Sequence, residues 1–154
     1  MDDQLFKKAM GKFATGVTVV TTEVGENVHG MTANAFMSVS LDPKLILISV
    51  ANRATMKGYL DESGSFAVSI LADKQADLSM YFAGQKKDDK SVAFDVFDNM
   101  PVLHGSVATI TCDVHNTHLE GDHTLYVGKV RDIRVDDEAK PLGYFSGKYY
   151  NLTD

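Results

Sequence analysis

The stretch Gly30-Met31-Thr32-Ala33-Asn34-Ala35-Phe36-Met37-Ser38-Val39-Ser40-Leu41-Asp42-Pro43 lies between two strand-like runs, yet it is too small and polar for an ordinary buried strand. Side chains of an extended segment alternate between faces. With its second half extended, Ala35, Met37, Val39 and Leu41 share a face suited to a core, and Asn34, Phe36, Ser38 and Ser40 share the other. That second face carries hydroxyls, a carboxamide and an aromatic ring, where small neighbours admit a flat ligand. The stretch reads as the organiser of a binding site.

Upstream, Asp2 or Asp3 can cap a helix whose Leu5, Phe6, Ala9, Met10 and Phe13 form one apolar stripe, expected to be buried. Gly11 and Gly16 end it, and the β-branched run from Val17 to Thr22 reads as a strand. Gly25-Glu26-Asn27 turns the chain into Val28 to Thr32. Downstream of Asp42-Pro43, Leu45 to Ala51 is nearly all apolar and is expected to be a strand buried on both faces. A short helix over Met56 to Leu60, capped near Thr55, follows, then a strand from Phe66 to Leu71. Asp73 is placed to cap a helix running to about Phe82, with Ala76, Leu78 and Tyr81 or Phe82 inward. Residues 84–99 form a polar loop long enough to suggest a cover over a site or subunit contact. Two long strands, near Ser106–Leu119 and Thr124–Val135, flank Gly121-Asp122-His123, and an aromatic segment, Leu142 to Leu152, closes the pattern. Strands that mostly follow one another predict a mainly β barrel with added helices.

The 154 residues suit one domain, 1–154, with a real core. Hydrophobic residues at 44% and charged residues at 23% exclude a disordered chain. A net charge of -6 without a basic cluster argues against nucleic acid as a partner. The lone Cys112 forms no intrachain disulfide and suits a reducing compartment. No secretory signal follows Asp2 and Asp3, and the apolar run Leu45 to Ala51 is too short to span a bilayer, so a cytoplasmic protein without a membrane partner is expected.

Several chemistries are weak or missing. There is no dinucleotide-binding Gly-rich fingerprint after the first strand, no Walker loop, no Gly-x-Ser-x-Gly elbow and no zinc-protease motif. Cys112, His115 and His118 tempt a metal reading. On one strand, however, Cys112 and His118 lie about 20 Å apart, and His115 points to the other face. Ligands of one metal must converge to about 2 Å, so strand residues on a partly exposed ribbon are the better reading and no metal is expected. The acids Asp88, Asp89, Asp95 and Asp98 read as a solvated loop, and the scattered methionines as core filler.

Arg53 and Thr55 lie where a strand turns into a helix, whose N-terminal N–H groups attract phosphate. A helix cap with a surface arginine is the plainer alternative. Gly121-Asp122-His123 serves a hairpin first, and a histidine projecting over a ligand second. Tyr144, Tyr149 and Tyr150 pack a barrel end or an interface, or stack on a planar ligand.

Taken in order, these segments resemble the flavin reductase family with the FMN-binding split-barrel fold, the short reductase components of two-component monooxygenases. The resemblance rests on Phe13-Ala14-Thr15-Gly16-Val17-Thr18-Val19-Val20-Thr21, His29-Gly30-Met31-Thr32-Ala33-Asn34-Ala35-Phe36 and Ser38-Val39-Ser40-Leu41-Asp42-Pro43. It continues through Phe82-Ala83-Gly84, Pro101-Val102-Leu103, Gly121-Asp122-His123 and Pro141-Leu142-Gly143-Tyr144. Two departures stand out: Ala35 where the family commonly has serine, and Lys90-Ser91 where it has a basic residue followed by Phe.

The resemblance implies a homodimer of split barrels that binds FMN, with FAD as an alternative, and uses NADH or NADPH as donor. Thr32, Ala33, Asn34 and Ala35 would lie along the isoalloxazine and ribityl chain, and Ser49, Val50 and Ala51 would line the same pocket. Arg53 and Thr55 would hold the phosphate, with Phe82 and Lys90 as further contacts. His123 and Tyr149 would lie on the nicotinamide side, and no residue is singled out as catalytic. Reduced flavin would pass to an oxygenase component. The competing readings are a non-catalytic FMN-binding electron carrier, a ferric reductase, and a small barrel acting as an interaction module.

Overall fold

A computed structural model of the chain describes residues 1–84 and 92–153. Lys90 lies outside the described residues. Seven strands form one antiparallel sheet: β1 (Thr18–Val24), β2 (Asn27–Ala33), β3 (Phe36–Leu41), β4 (Lys44–Ala51), β5 (Ser65–Ile70), and the long pair that follows a short hairpin. That hairpin is β6 (Asp95–Phe97) with β7 (Met100–Val102), and the long pair is β8 (Ala108–Glu120) with β9 (His123–Val135). The order across the sheet is β2-β1-β5-β8-β9-β4-β3. A last hairpin, β10 (Leu142–Phe145) with β11 (Lys148–Asn151), lies apart. The helices are α1 (Asp3–Gly11), α2 (Thr55–Ser63) and α3 (Ala76–Phe82), the last entered through a 3-10 turn, Asp73–Gln75.

The two end strands of the sheet, β2 and β3, are neighbours in the chain and joined only through Asn34-Ala35. Both nevertheless pack on the same interior cluster: Ala33 of β2 is part of it, and Phe36 of β3 lies against it. The sheet therefore curls into a barrel that closes by packing and stays open between its end strands. Strand outweighs helix, as the sequence predicts.

The interior is filled by Val20, Ile46, Ile48, Val50, Phe66, Val68, Cys112 and Tyr126 from five strands, and α2 adds Met56 and Leu60. A second cluster, Val17, Val19, Leu71, Leu103 and Leu142, sits outside the barrel, covered by Ala76, Leu78, Phe82, Tyr144 and Tyr149. Val19 and Val20 of β1 thus bury opposite faces, and β5 does the same, with Phe66 and Val68 inside and Ala67 against Met100 and Val102.

β4 was expected to be buried on both faces and is not. Its burial alternates, with Ile46, Ile48 and Val50 inside and Leu45, Leu47, Ser49 and Ala51 only half-buried. Nothing within the described residues covers its outer face as α3 and β10 cover β1. The faces of β3 also reverse the expectation. Phe36 pairs with the inward Ile48 and packs on the core, whereas Met37 pairs with the outward Leu47. A bulge between Ser38 and Ser40 then breaks the alternation. Met37, Val39 and Leu41 are exposed at 54%, 45% and 79%.

α1 begins as expected, with Asp2 accepting a hydrogen bond from the Gln4 backbone at 2.9 Å. Its apolar stripe, however, is not buried: Leu5, Phe6 and Met10 of the helix and Phe13 beyond it are all exposed. α1 precedes the first strand and is tied to the last hairpin mainly at its C-terminal end, where Ser146 donates to the Gly11 carbonyl. α2 starts one residue earlier than a Thr55 cap requires. Ala54 is the cap position and has no side chain to do the work, so Thr55 is the first helical residue. Asp73 likewise opens the 3-10 turn and makes no side-chain cap; the buried Gln75 carboxamide accepts from the Ala72 backbone instead, at 2.7 Å.

Gly128 marks the tightest point of the interior. A Cβ there would stand 2.6 Å from Cζ of Phe66 and 2.9 Å from Cβ of Cys112, both residues fully buried. Neither a packed ring nor a Cβ next to backbone can retreat cheaply. Gly128→Ala is expected to destabilise the fold by about 1–3 kcal/mol, measured by urea denaturation; an unchanged midpoint would mean the interior is looser than this packing.

Candidate functional site

Cross-strand partners in an antiparallel pair point to the same face. Ser49 lies opposite Leu125 and Ala51 opposite His123, so the outer face of β4 and β9 ends in Ser49, Ala51 and His123 together. Ser49 also donates its backbone N–H to the Ala35 carbonyl at 3.2 Å, which seats the β2–β3 link beside the same ledge. Asn34 and Ala35 are exposed there. Val50 alternates inward and is fully buried, leaving only its backbone for a ligand on this face.

From Ala51 the chain turns at once into α2. Ala54 donates to the Ala51 carbonyl at 2.9 Å, closing the turn and presenting Arg53 outward. Thr55 is exposed on the first turn of a helix that lacks a side-chain cap. Unpaired N–H groups and the positive end of the helix dipole are there to attract an anion.

The opposing wall is the β8–β9 turn, where Gly121 takes a positive φ of 62°. His123 Nδ1 lies 2.7 Å from Asp122 Oδ1. This contact holds the Asp122 carboxyl below the usual carboxylate range, and Arg53 adds to the effect. In the neutral ring a carboxylate at that distance favours the proton on Nδ1, which leaves Nε2 as the acceptor. Asn52, which the sequence did not single out, joins the two walls. It donates its backbone N–H to the Asp122 carbonyl at 2.9 Å, and its carboxamide oxygen accepts from the Thr124 hydroxyl at 2.6 Å.

Thr32, Phe82 and Tyr149 gather elsewhere, around α3. Thr32 alternates away from Ala33 and donates its hydroxyl to the Ser79 carbonyl at 2.6 Å. The Ser79 hydroxyl in turn meets the Tyr149 hydroxyl at 2.6 Å. The Phe82 ring lies against Gly30, where a Cβ would come within 2.6 Å of it. Ser79 is fully buried, and a serine at an inward helical position was the one signal that could have marked it. The Tyr149 ring also packs on Tyr144, at 5.2 Å between centroids.

A cavity of about 620 Å³ opens between the segment from Phe13 to Thr18 and the start of β3, and Asn34 and Ala35 line it with Met37 and Leu47. The β2–β3 link therefore borders both this apolar cavity and the ledge. Cys112, by contrast, is buried in the core with its thiol pushed up to about 12 by desolvation, while His115 and His118 are exposed. Among the described residues no group of three or more metal-ligating side chains comes together.

α2 is held against the barrel by a polar tether. The buried Tyr126 donates its hydroxyl to Asp61 Oδ1 at 2.6 Å, and Lys57 pairs with the other carboxylate oxygen at 2.7 Å. The hydrogen bond from Lys57, then that from Tyr126, keeps the Asp61 carboxyl below its ordinary range.

Comparison with known proteins gives this arrangement its class. Residues 10–153 match the model of the flavin reductase like domain. An NADH-dependent flavin reductase of a Rhodococcus species is 44% identical over 95% of this chain and 84% of its own length. The reductase component of 4-hydroxyphenylacetate 3-monooxygenase from Thermus thermophilus is 38% identical, over 97% of this chain and 96% of that one. The structure of flavin reductase PheA2 superposes with a TM-score of 0.97 at 52% identity, each chain fully covered. An NADH:FAD oxidoreductase of Streptomyces globisporus, solved with NAD and FAD fragments, superposes at 0.91 with 34% identity over 98% and 93% of the chains. The fold is thus that of an oxidoreductase of the split-barrel type. The chain belongs to the flavin reductase family.

Because the Asp61 carboxyl titrates lower in the folded state than its unfolded value of about 4, its contribution is present above that pH and lost as pH falls through the folded value. The melting temperature of the protein is therefore expected to drop in this acid window, and the drop to be shallower in Asp61→Asn. Identical pH profiles for the two would mean that the tether carries no stability.

Proposed function

We propose that this chain oxidises NADH to reduce FMN, with FAD as an alternative acceptor, and supplies the reduced flavin to a partner monooxygenase. The observation that carries the reading is the ledge at the end of β4. Small, outward Ser49 and Ala51 lie beside His123, and the chain passes at once into an uncapped helix start with Arg53 and Thr55. A flat, small-residue surface at one end and an anion-attracting terminus at the other suit a planar ring with a phosphate tail. Relatives named as NADH-dependent reductases, and as reductase components, support the donor and the partner.

The flavin, when bound, supplies the two-electron chemistry, accepting hydride from the nicotinamide. The chain supplies position and charge. Arg53 and the N–H groups of the α2 start would hold the phosphate, Thr55 would add a hydroxyl, and Ser49, Ala51 and the backbone of Val50 would line the ring. Backbone N–H groups of Asn34 and Ala35 would be available to hydrogen-bond the edge of a bound flavin ring. Asp122 holds the His123 ring through Nδ1, so that its Nε2 would be free to accept a hydrogen bond from the carboxamide of a bound nicotinamide. Thr32 and Tyr149 spend their hydroxyls on Ser79, so they act indirectly, by bracing α3 against β2 and the last hairpin.

The exposed apolar residues Met37, Val39 and Leu41, with Leu5, Phe6, Met10 and Phe13, are more than a scattered surface. We read them as the contact with a second copy, a homodimer whose partner covers the outer face of β3 and β4. A single domain working in the cytoplasm completes the proposal.

Steady-state assays crossing NADH and NADPH with FMN and FAD are expected to give rapid oxidation of NADH with FMN; absence of turnover in every combination would refute the activity. Arg53→Ala is expected to raise KM for FMN about tenfold, the size of one lost charge-assisted hydrogen bond, and to leave riboflavin unaffected. Equal effects on both flavins would remove Arg53 from the phosphate. In sedimentation velocity, the wild-type chain is expected to run as a dimer and the double variant Met37→Asp, Leu41→Asp as a monomer.

A further inference from the structure

The turn at Asn52 is bonded to the β8–β9 hairpin three times by one residue. Its backbone N–H donates to the Asp122 carbonyl at 2.9 Å, and its carboxamide NH₂ reaches the Gly121 carbonyl at 3.4 Å. Its carboxamide oxygen accepts from Thr124 at 2.6 Å. Thr124 is 5% exposed and its hydroxyl bond part-buried, whereas the longer amide contact to Gly121 is exposed. Residues on both sides of the bonded atoms bear the proposed ligand contacts. Arg53 follows Asn52 directly, and His123 lies between Asp122 and Thr124.

From this geometry we infer that Asn52 is a positioning residue that locks the phosphate-binding turn to the nicotinamide-side hairpin, so that flavin and donor are held in one register. The inference rests on the roles proposed above for Arg53 and His123. Only a carboxamide meets the demand. It must accept from a hydroxyl at one end and donate to a carbonyl at the other. Aspartate keeps the acceptor but turns a second oxygen on the Gly121 carbonyl; leucine keeps the volume and loses both bonds. The lock acts on no reacting atom. It removes the freedom of the hairpin to swing relative to the turn, which otherwise costs binding free energy each time the two ligands meet.

The test uses Asn52→Ala and the gentler Thr124→Val, which keeps the β-branched shape and deletes the hydroxyl, with Thr124→Ser as the variant that restores it. Each is compared for KM of NADH, for the ratio of FMN to riboflavin affinity, and for melting temperature. Asn52→Ala and Thr124→Val are expected to raise KM for NADH and lower the FMN preference, each roughly tenfold, with Thr124→Ser near wild type. Arg53→Ala and His123→Ala, run alongside, separate the two levels. If these two leave FMN preference and NADH KM unchanged, the site assignment fails and the lock fails with it. If they respond and both lock variants stay within twofold of wild type, or lose only melting temperature, the lock alone is overturned.

Discussion

The ladder between β4 and β9 is the constraint on which the rest of this protein depends. It sets Ala51 opposite His123 and Ser49 opposite Leu125, and the pleat sends Ile46, Ile48 and Val50 to the interior. One alternation therefore builds the core and the ledge at once. A slip of one residue would bury Ser49 and Ala51 and expose three core side chains. Register here is protected by the whole interior cluster.

Strength of a different kind is needed where the barrel does not close. β2 and β3 share no ladder, and their junction is held by packing of Ala33 and Phe36 and by the Ser49–Ala35 bond. α2 plugs the interior with Met56 and Leu60 and is tied by Tyr126 through Asp61. The helix start proposed above to hold a phosphate is thus positioned from its far end, by a buried hydroxyl with its own ionisation pushed upward by burial and by Asp61.

Much of this was legible in the sequence. Strand order along the chain follows from β-branched and apolar runs between Gly and Asp turns, and the small-polar stretch from Gly30 does join the two edges of the split. What failed was the facing of β3, because alternation gives two faces and cannot say which is inside. That choice is made by pairing with Ile48 and Leu47, then disturbed by a bulge that no residue type announces. The exposed stripe of α1 failed for a related reason: amphipathic spacing shows that a helix has an apolar face, not what lies against it. Asn52 escaped notice because its partners, Gly121, Asp122 and Thr124, are remote in the chain. The resemblance named Thr32 and Tyr149 as site residues; in the structure their hydroxyls are engaged with Ser79.

The β3–β4 hairpin has a consequence for how the molecule comes into being. Its sole route into the main sheet is through β9, since β3 forms the edge and β4 pairs onward only with β9. The Asn52–Thr124 bond at that seam spans 72 residues of chain. During synthesis, the strand that carries Ser49 and Ala51 emerges early and must wait, with an apolar face unpaired, until β9 has followed it. Contacts of this separation are entropically slow to close. β4 has β3 as its early partner, but its other edge stays open until residues 123–135 have been made, and that interval is when a chaperone has most to shield.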